Sequence, residues 1–545
     1  MSRRSPRLVV AVAGALLATA CGSTVQPHGA ATALDAGQAG AGLGDAGTGT
    51  GTQGAAGAAG AAGSLGAPGA GIAGTGAAVP GAGGGGTASG GTTGPTGTGP
   101  GAAGRASGSS AAGGSSGGVR SPGVTATTIA LGLPYSVNSQ AAAAALGAGG
   151  AGVGGGNGKR QWQILLNDIN ARGGIAGHKL VPVWHENDST SSQSTDEKES
   201  AACADWTQDN KVFAAVDGEA STSETLQNCL HKAGVVQLYE DLTRADGETF
   251  RRYPYYLETG TLRMDRVAAF WPRALDAQKY FTGWDTKAAR PGPLPVKVGI
   301  ISFDDRTTVN SVQRQLKPAL QAVGHAAAEW IRIQYPTGTA DNGSAISAIQ
   351  AAELKFASQG ITHVLPFDAQ GAGIGAFFAQ GADSQKYYPR YGLNSGNGTQ
   401  ILVDAGLWPT SQLAGALGYG WVPLVDVRLT DNPDSGPLSN DARRRCVALM
   451  TKGGEDVGSA IVKRQVTSKC DALQFLEQAL QLGGSVTRDA LVAGANRIGS
   501  TFSSGQTFGT RFDAEHHDGA AYGRSFAYTA SCGCFRYTAG SVPIP

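Results

Sequence analysis

From Val124 onward, short apolar runs alternate with segments in which apolar residues recur every three or four positions. The first pattern is typical of buried strands and the second of helices that pack on a sheet. Trp162, Leu165 and Ile169 lie on one face of such a helix, and the glycines after Arg172 supply a left-handed cap that ends it. The pattern predicts further elements, namely strands at 128–133, 179–184, 212–216 and 235–238, and helices at 194–206 and 222–232.

After a connecting segment the same alternation begins again. It predicts strands at 296–301, 330–333 and 362–367, a helix through Val312, Leu316 and Leu320, and a helix at 344–357. Alternating strands and helices form parallel sheets with helices on both faces, so two such series predict an α/β protein with two doubly wound lobes. Ligands of such sheets bind beyond the carboxyl ends of the strands, so two facing lobes would enclose a cleft.

The start of the chain has the pattern of an export signal. Arg3, Arg4 and Arg7 precede a short apolar stretch at 8–20. This arrangement is typical of a secretory signal peptide, which we predict at 1–20, and the stretch is too short for a permanent membrane span. Small residues lead up to Cys21 in a pattern that resembles a bacterial lipobox and predicts lipidation of Cys21. Ordinary signal cleavage, with Cys21 incidental, is the alternative.

The next segment, 22–123, contains no Phe, Trp or Tyr, and its only formal charges are Asp35, Asp45, Arg105 and Arg120. It buries too little apolar surface to offset the chain entropy, so we predict a disordered, lipid-anchored linker at 21–123. A Gly-rich coil of this length spans roughly 55 Å. About 420 residues remain to fold, which is more than one ordinary core accommodates. The formal net charge of +1 argues against a nucleic-acid-binding protein.

The chain has seven cysteines, and an even number remains once Cys21 is set aside. In an exported protein such a set indicates disulfides. Local order favours the pairs Cys203–Cys229, Cys446–Cys470 and Cys532–Cys534. A metal site is the alternative, but the chain contains no C-x-x-C pair, and we predict no metal and no cofactor.

Two charged clusters and one insertion are given structural interpretations. The segment 516–518, His-His-Asp, is interpreted as a polar turn, because adjacent residues on an extended chain point to opposite faces and rarely share one ion. The arginines at 443–445 are interpreted as a solvated helix face. A Gly/Ala-rich insertion at 141–158 is interpreted as a flexible loop at the rim of the cleft.

Several segments, taken in their order along the chain, carry a family resemblance. They are 167–177, which reads NDINARGGIAG, 213–218 with 221–223, 298–305, 472–487 and 517–519. In these segments the chain resembles the type I periplasmic binding proteins, in the leucine/isoleucine/valine-binding branch of ABC-transporter solute receptors. The resemblance implies three crossings between the lobes, near Glu258, Val422 and Thr510. Lobe one would comprise 124–258 and 423–509, and lobe two 259–422 and 510–545.

The resemblance also implies a function. The protein would be an extracytoplasmic solute-binding receptor of an ABC importer, lipid-anchored to the outer face of the cytoplasmic membrane. It would bind a small polar ligand, amino-acid-like or other, between the lobes, and present itself as a monomer to the membrane subunits of a permease. It would have no catalytic residues. An exported α/β hydrolase is an alternative, but the G-x-S-x-G match at 114–118 lies in the linker rather than between a strand and a helix. A ligand-sensing lipoprotein without a transporter is a second alternative.

Candidate ligand-binding residues in lobe one follow predicted strands. Ser221 and Thr222 follow a buried strand and open a helix, where hydroxyls and free N–H groups can bind an anion. The resemblance gives this loop the ligand carboxylate, and helix capping is the alternative. Tyr135 and Ser136 end the first strand and Tyr239 the fourth. They would line the cleft, unless the tyrosines are core side chains.

In lobe two, Asp304, Asp368 and Asn394 each stand at the end of a predicted strand. A carboxylate there would pair with a ligand ammonium, and helix capping is the alternative. The chain departs from the amino-acid binders of the family, which commonly carry an acid where this chain has 394–397. They also carry small residues where it has 239–241. The ligand class therefore stays open between an amino acid and another small polar solute.

Overall fold

The computed structural model describes residues 121–138, 141, 156–217, 224–242, 244–338, 341–368, 373–428 and 440–545. The predicted signal peptide, Cys21, the linker and most of the insertion at 141–158 lie outside these residues. Across the described ranges, no helix combines the length and the apolar character that crossing a membrane requires.

The chain first forms a sheet of five parallel strands in the order β2-β1-β3-β4-β5. Leu131 of the first strand is aligned with Ala214 of the third, and both are fully buried because helices cover both faces. The strands are β1 (Thr128–Val137), β2 (Lys179–Asp188), β3 (Ala214–Asp217), β4 (Val236–Tyr239) and β5 (Tyr256–Glu258).

The helices between these strands begin and end where the sequence supplies caps. Asn157 accepts a hydrogen bond from the backbone N–H of Arg160 at 3.0 Å, and Ser194 forms a capping box with Glu197. Gly234 ends the third helix in the left-handed conformation, with φ of 71°. The helices are α1 (Gly158–Ala171), α2 (Thr195–Ala204), which continues into a π-helical turn (Asp205–Asp209), α3 (Thr225–Ala233) and α4 (Gly247–Arg252).

The second series forms a larger sheet in the order β14-β13-β12-β11-β10-β8-β9, with β15 beside β13. The strand between β10 and the edge strand β9 has the sequence VGIISF and is buried along its whole length. Two short strands, β6 (Trp284–Asp285) and β7 (Arg290–Pro291), pair separately. The strands of the large sheet up to β12 are parallel, namely β8 (Val298–Phe303), β9 (Ala327–Ile333), β10 (His363–Phe367), β11 (Arg390–Asn394) and β12 (Leu417–Gly420).

Helices cover this second sheet as they cover the first. One long helix contains a π-helical segment (Val312–Leu316) between two α-helical parts. Short 3-10 turns lie at Ser395–Asn397 and Thr410–Leu413. The α-helices are α5 (Met264–Ala277), α6 (Arg306–Ser311), α7 (Lys317–Ala322), α8 (Asn342–Ser358), α9 (Ile374–Ser384), α10 (Thr399–Asp404) and α11 (Pro423–Asp426).

The chain then returns to the first sheet before it ends on the second. Phe475 and Leu480 share a core with Leu133 and Val216, so the returning helices pack on the first sheet. The last strands extend the second sheet in antiparallel fashion. These elements are α12 (Asp441–Lys452), α13 (Ala460–Gly483), α14 (Arg488–Ile498), β13 (Tyr522–Thr529), β14 (Cys534–Tyr537) and β15 (Val542–Pro543). We call the first sheet with its helices lobe one, and the second sheet with its helices lobe two.

The side-chain cores show where the chain passes between lobes. Leu257 packs in the core of lobe one and Leu262 in a core of lobe two. Val427 still packs in lobe two, although the resemblance implies that lobe one resumes at 423. Phe512 packs in lobe one and Ala520 in lobe two. Among the described residues, the packing is therefore that of lobe two at Val427 and that of lobe one at Cys446, and it changes back between Phe512 and Ala520.

Three disulfides link neighbouring elements. Cys203–Cys229 joins α2 to α3, Cys446–Cys470 joins α12 to α13, and Cys532–Cys534 closes the turn between β13 and β14. These are the pairs that local order favours.

The prediction of a solvated arginine face at 443–445 is wrong for its first member. Arg443 is buried, whereas Arg444 and Arg445 are exposed. Cys446 and Met450 lie on the buried face of α12. Arg443 precedes Cys446 by three residues, so the helical repeat places it on that same face.

His516 closes a turn that begins at Asp513, and the next two residues of the segment 516–518, which is interpreted as a polar turn, are buried. Asp518 is fully buried, and its carboxylate lies 2.8 Å from Nη1 of Arg266. The carbonyl of His517 accepts a hydrogen bond from the backbone N–H of Glu258 at 2.8 Å. The segment is buried because it runs beside the first crossing, where the chain leaves β5 for lobe two.

Candidate ligand-binding cleft

The carboxyl ends of strands from both lobes meet around Arg244. This residue lies between β4 and α4 in lobe one, and its guanidinium reaches into lobe two. Its Nη1 lies 2.9 Å from Oδ2 of Asp305, and its Nη2 lies 3.8 Å from Oδ1 of Asp368. The guanidinium carbon lies 4.0 Å from the ring centroid of Tyr335 and 5.1 Å from that of Phe303. All of these residues follow or end a strand of lobe two.

Two adjacent acids after β8 have different roles. Asp305 caps α6, accepting a hydrogen bond from the backbone N–H of Thr308 at 3.0 Å through its second oxygen. Asp304, the acid that the sequence predicts as a site residue, is exposed and accepts the backbone N–H of Tyr335 at 3.0 Å. Asp304 therefore holds the segment that carries the Tyr335 ring, while Asp305 contacts the guanidinium.

Asp368 and Asn394 both stand at strand ends of lobe two and are buried. Asp368 faces Arg244, as described above. Asn394 closes the turn after β11: its backbone N–H donates to Oδ1 of Asn397 at 2.8 Å, and its own Oδ1 accepts from Gly396 at 2.7 Å. Among the described residues, Nδ2 of Asn394 has no hydrogen-bond partner. The turn thus presents a buried amide donor rather than a charge.

The loop after β4 is anchored to α13. Oε2 of Glu240 accepts from the hydroxyl of Ser468 at 3.1 Å, and Asp241 forms an ion pair with Arg464. Burial lowers the pKa of Arg464 to about 10, still well above neutral pH, so the guanidinium remains charged. Tyr239 is buried, and its ring centroid lies 6.1 Å from that of Tyr256. These contacts with α13 therefore hold in place the loop that carries Arg244.

A second aromatic group lies at the carboxyl end of β1. The hydroxyl of Tyr135 donates to Oε2 of Glu186 at 2.7 Å, and its ring meets that of Trp184 edge-on at 6.0 Å between centroids. Nζ of Lys159 lies 4.6 Å from the Tyr135 ring centroid. Ser136 is exposed beside it. Ser221 and Thr222 lie outside the described residues, between the end of β3 and Glu224.

The rim of the cleft carries a second set of ion pairs between the lobes. Arg306 of lobe two pairs with Glu224 and, at 3.3 Å, with Glu248 of lobe one. Arg252 of lobe one also contacts Glu224, at 2.6 Å. Burial alone would raise the pKa of Glu224, but hydrogen bonds from Arg306 and Tyr253 outweigh it and lower that pKa.

One backbone contact also crosses the cleft. The N–H of Thr195, the first residue of α2, donates to the carbonyl of Thr337 after β9 at 2.7 Å. Across the described part of the chain, no group of three or more His, Cys, Asp or Glu side chains is placed to hold a metal ion. The arrangement brings charged and aromatic side chains of both lobes together at the strand ends.

Sequence reasoning missed three of the residues that meet at the centre, Arg244, Tyr335 and Asp305. Asp305 had a usable signal, because it belongs to an acidic doublet directly after a buried strand. Arg244 and Tyr335 had none, since each is a single residue in a loop. The structure brings Asp368 to the same group, and it places Asp304 one contact away, behind Tyr335.

Known proteins share this architecture. The solute-binding protein from R. palustris in complex with 4-hydroxybenzoate superposes with a TM-score of 0.52 at 14% identity, covering 77% of this chain and 98% of that one. The periplasmic binding protein type 1 from Bordetella pertussis gives 0.51 at 16% identity, covering 75% and 99%. The LivJ substrate-binding protein from Streptococcus pneumoniae in complex with isoleucine gives 0.50 at 14%, covering 76% and 100%. At such identities the likeness shows the fold alone.

No curated protein sequence matches the chain. The family model described as periplasmic binding protein matches residues 148–530, which is more than half of the chain. The chain therefore belongs to the periplasmic binding protein family, a family of extracytoplasmic solute-binding proteins.

Proposed function

We propose that this protein is the substrate-binding receptor of an ABC importer and that it holds a small polar solute between its lobes. The observation that carries the proposal is the meeting of both lobes' strand ends around Arg244, Asp305 and Asp368. Open α/β sheets bind ligands at this edge. Family membership supports the same conclusion, since periplasmic binding proteins deliver solutes to membrane subunits.

We place the solute among residues that border the central group. Ser221 and Thr222 would hold an anionic group with their hydroxyls. Tyr135 and Ser136 would form the opposite wall of lobe one. Asn394 would contribute the amide donor that lacks a partner among the described residues. Asp304 would act indirectly by fixing Tyr335.

Hinge motion about the three crossings would open and close the cleft, as in other two-lobed binding proteins. Lobe one would comprise 124–258 and the segment from about 440 to 512, and lobe two the remainder of the folded chain. No bond of the solute would be made or broken, so the protein would not be an enzyme. The closed monomer would then present both lobes to the permease subunits.

Export and anchoring follow from the sequence at the start of the chain. The signal peptide at 1–20 and the small residues before Cys21 support a lipid anchor on the outer face of the cytoplasmic membrane, joined to the folded body by the linker. Fractionation of cells tests this: a lipidated chain sediments with membranes and is released by detergent, whereas a chain that is cleaved and unlipidated stays soluble.

A thermal-shift screen tests the binding function. The full chain would be melted in the presence of amino acids, amides, small organic acids and sugars, since a ligand that binds only the folded state raises the melting temperature. We expect a hit of one chemical class with one-to-one stoichiometry in calorimetry. The double variant Ser221→Ala/Thr222→Ala should weaken that binding at least tenfold with an unchanged melting temperature of the free protein. Turnover of the hit into a product, or no binding across all four classes, would contradict the proposal.

A further inference from the structure

The guanidinium of Arg244 sits where a bound cation would sit. Proteins bind cations with carboxylates and with the faces of aromatic rings, and both are present here. Asp305 contacts the guanidinium at 2.9 Å, Asp368 lies at 3.8 Å, and the ring of Tyr335 lies at 4.0 Å from the guanidinium carbon. These groups belong to lobe two, whereas Arg244 belongs to lobe one. The chain thus supplies its own cation to the opposite lobe.

Water has little access to this group. The side chains of Arg244, Asp305 and Asp368 are 5%, 7% and 2% exposed. An arginine stays protonated at any physiological pH, and opposing charges act strongly where water is excluded. A second positive charge brought to the same place would meet the guanidinium rather than the carboxylates. A ligand ammonium is therefore repelled from the position that these acids would otherwise offer it.

The turn after β11 in lobe two carries amides rather than charged groups. Asn394 and Asn397 occupy the turn after β11 and bond to each other through backbone and amide groups. Asp304 is exposed and is engaged with the backbone of Tyr335. The strand ends β8 and β10 supply the buried acids, and both of those acids face Arg244.

We propose that Arg244 is a specificity-determining residue: it fills the lobe-two subsite for a cationic group, so the solute carries no positive charge at that end. This inference rests on the proposed receptor function and narrows its ligand class to small anionic or uncharged solutes. Amino acids bearing a free ammonium at this subsite are excluded by the same contacts.

The decisive experiment replaces Arg244 with alanine and then supplies the removed side-chain atoms as a small molecule in solution. Ethylguanidinium has the atoms that Arg244→Ala removes beyond the β-carbon. We expect millimolar ethylguanidinium to raise the melting temperature of the full-length alanine variant by several degrees and to leave the wild type unchanged. Arg172→Ala, which removes a half-exposed arginine from lobe one, is the matched control and should not respond. An equal response of all three proteins would overturn the proposal.

A matched pair of acids tests the ligand class in the wild type. Leucine and 4-methylpentanoate share one carbon skeleton and one carboxylate, and they differ by the ammonium alone. The proposal expects Arg244→Ala to bind leucine at least tenfold more tightly than the wild type does. Tighter binding of leucine than of 4-methylpentanoate by the wild type would overturn the inference, while the receptor function would stand. If neither acid binds, the ethylguanidinium comparison alone decides.

A second variant covers the case in which the alanine variant does not fold. Arg244→Gln keeps most of the side-chain length and an amide donor but removes the charge. We expect methylammonium chloride to raise the melting temperature of this variant and not that of the wild type, compared with equal sodium chloride. Identical behaviour of the two proteins would count against a cation subsite.

Discussion

Two sets of ion pairs join the lobes across the same cleft, and they differ in their access to water. In the central set, the side chains of Arg244 and Asp305 are 5% and 7% exposed. In the rim set, Arg306 is 37% exposed and its partner Glu224 is 17% exposed. Both sets pair an arginine with a carboxylate between lobes. Only the central one places those charges where solvent cannot replace a lost partner.

This difference predicts unequal consequences for loss of one partner. An exposed charge that loses its partner is rehydrated, so the pair contributes little. A buried charge that loses its partner keeps its desolvation cost and has nothing to offset it. The central pair should therefore control closure of the cleft, while the rim pairs should act mainly on the approach of the lobes and on its dependence on salt.

The largest effect is expected for Asp305→Asn. Asparagine caps a helix about as well as aspartate, so the substitution keeps the cap of α6 and removes only the charge that faces Arg244. We expect a loss of about 3 kcal/mol in the free energy of unfolding, because breaking a buried pair costs roughly 3–5 kcal/mol and Asp368 remains nearby. Urea denaturation followed by circular dichroism measures it.

The control is Asp304→Asn, which changes the adjacent, exposed carboxylate. It should shift the free energy of unfolding by well under half as much. Equal losses for the two variants would show that the buried position of Asp305 is of no special importance.

Asp426, a buried acid that accepts hydrogen bonds from hydroxyl groups, sharpens the comparison. Burial raises the pKa of Asp426 to about 7, despite hydrogen bonds from Tyr537 and Ser395. Because the folded pKa lies above the ordinary value of 3.8, folding favours the protonated form. That stability is fully present below about pH 4 and is lost as the pH rises through about 7.

Asp426→Asn should therefore flatten the pH dependence of stability. Between pH 5 and pH 7, titration of Asp426 should lower the free energy of unfolding of the wild type by about 1 kcal/mol per pH unit. The variant lacks this contribution, so its free energy of unfolding should fall less steeply by the same amount. Chemical denaturation at pH 5, 6 and 7 measures the slopes. Asp404→Asn, at a half-exposed acid paired with Arg428, is the control. Parallel slopes for wild type and Asp426→Asn would contradict the assignment.

The sheets and the central ion pairs also differ in how far the sequence predicts them. Most of the parallel strands and their helices are predicted because each shows a local repeat of apolar residues, as with Trp162, Leu165 and Ile169 on α1, whereas the short strands β5 and β12 are not. Asp368 is predicted as a site residue because it directly follows an apolar strand. The partner of these acids is not predicted, since Arg244 is one arginine in a loop and its contact depends on how the lobes meet.

The prediction for Arg443 is wrong because it considers the charge of the residue and not its position on the helix. The run of three arginines predicts that Arg443 faces solvent, yet the helical repeat from Cys446 places it on the buried side of α12. Asp518 has no such local signal. Its burial follows from its place beside the first crossing, which depends on contacts between segments far apart in the chain.

The smallest expected effect is at the rim. Arg306→Ala removes contacts with Glu224 and Glu248, but both arginine and acids keep access to water. The free energy of unfolding should therefore fall by less than about 1 kcal/mol, as is usual for exposed pairs. That difference should shrink as sodium chloride rises from 0.05 to 0.5 M, because the screening length falls below the span of the cluster.

The informative comparison is with Asp305→Asn under the same two salt concentrations. Its larger loss should persist at high salt, since mobile ions do not enter the buried group. Arg314→Ala, at 3.8 Å from Glu248 and two-thirds exposed, is the matched rim control and should change stability still less than Arg306→Ala. If salt abolished the effect of Asp305→Asn as well, the central pair would be as open to solvent as the rim, and the proposed exclusion of cationic ligands by Arg244 would lose its physical basis.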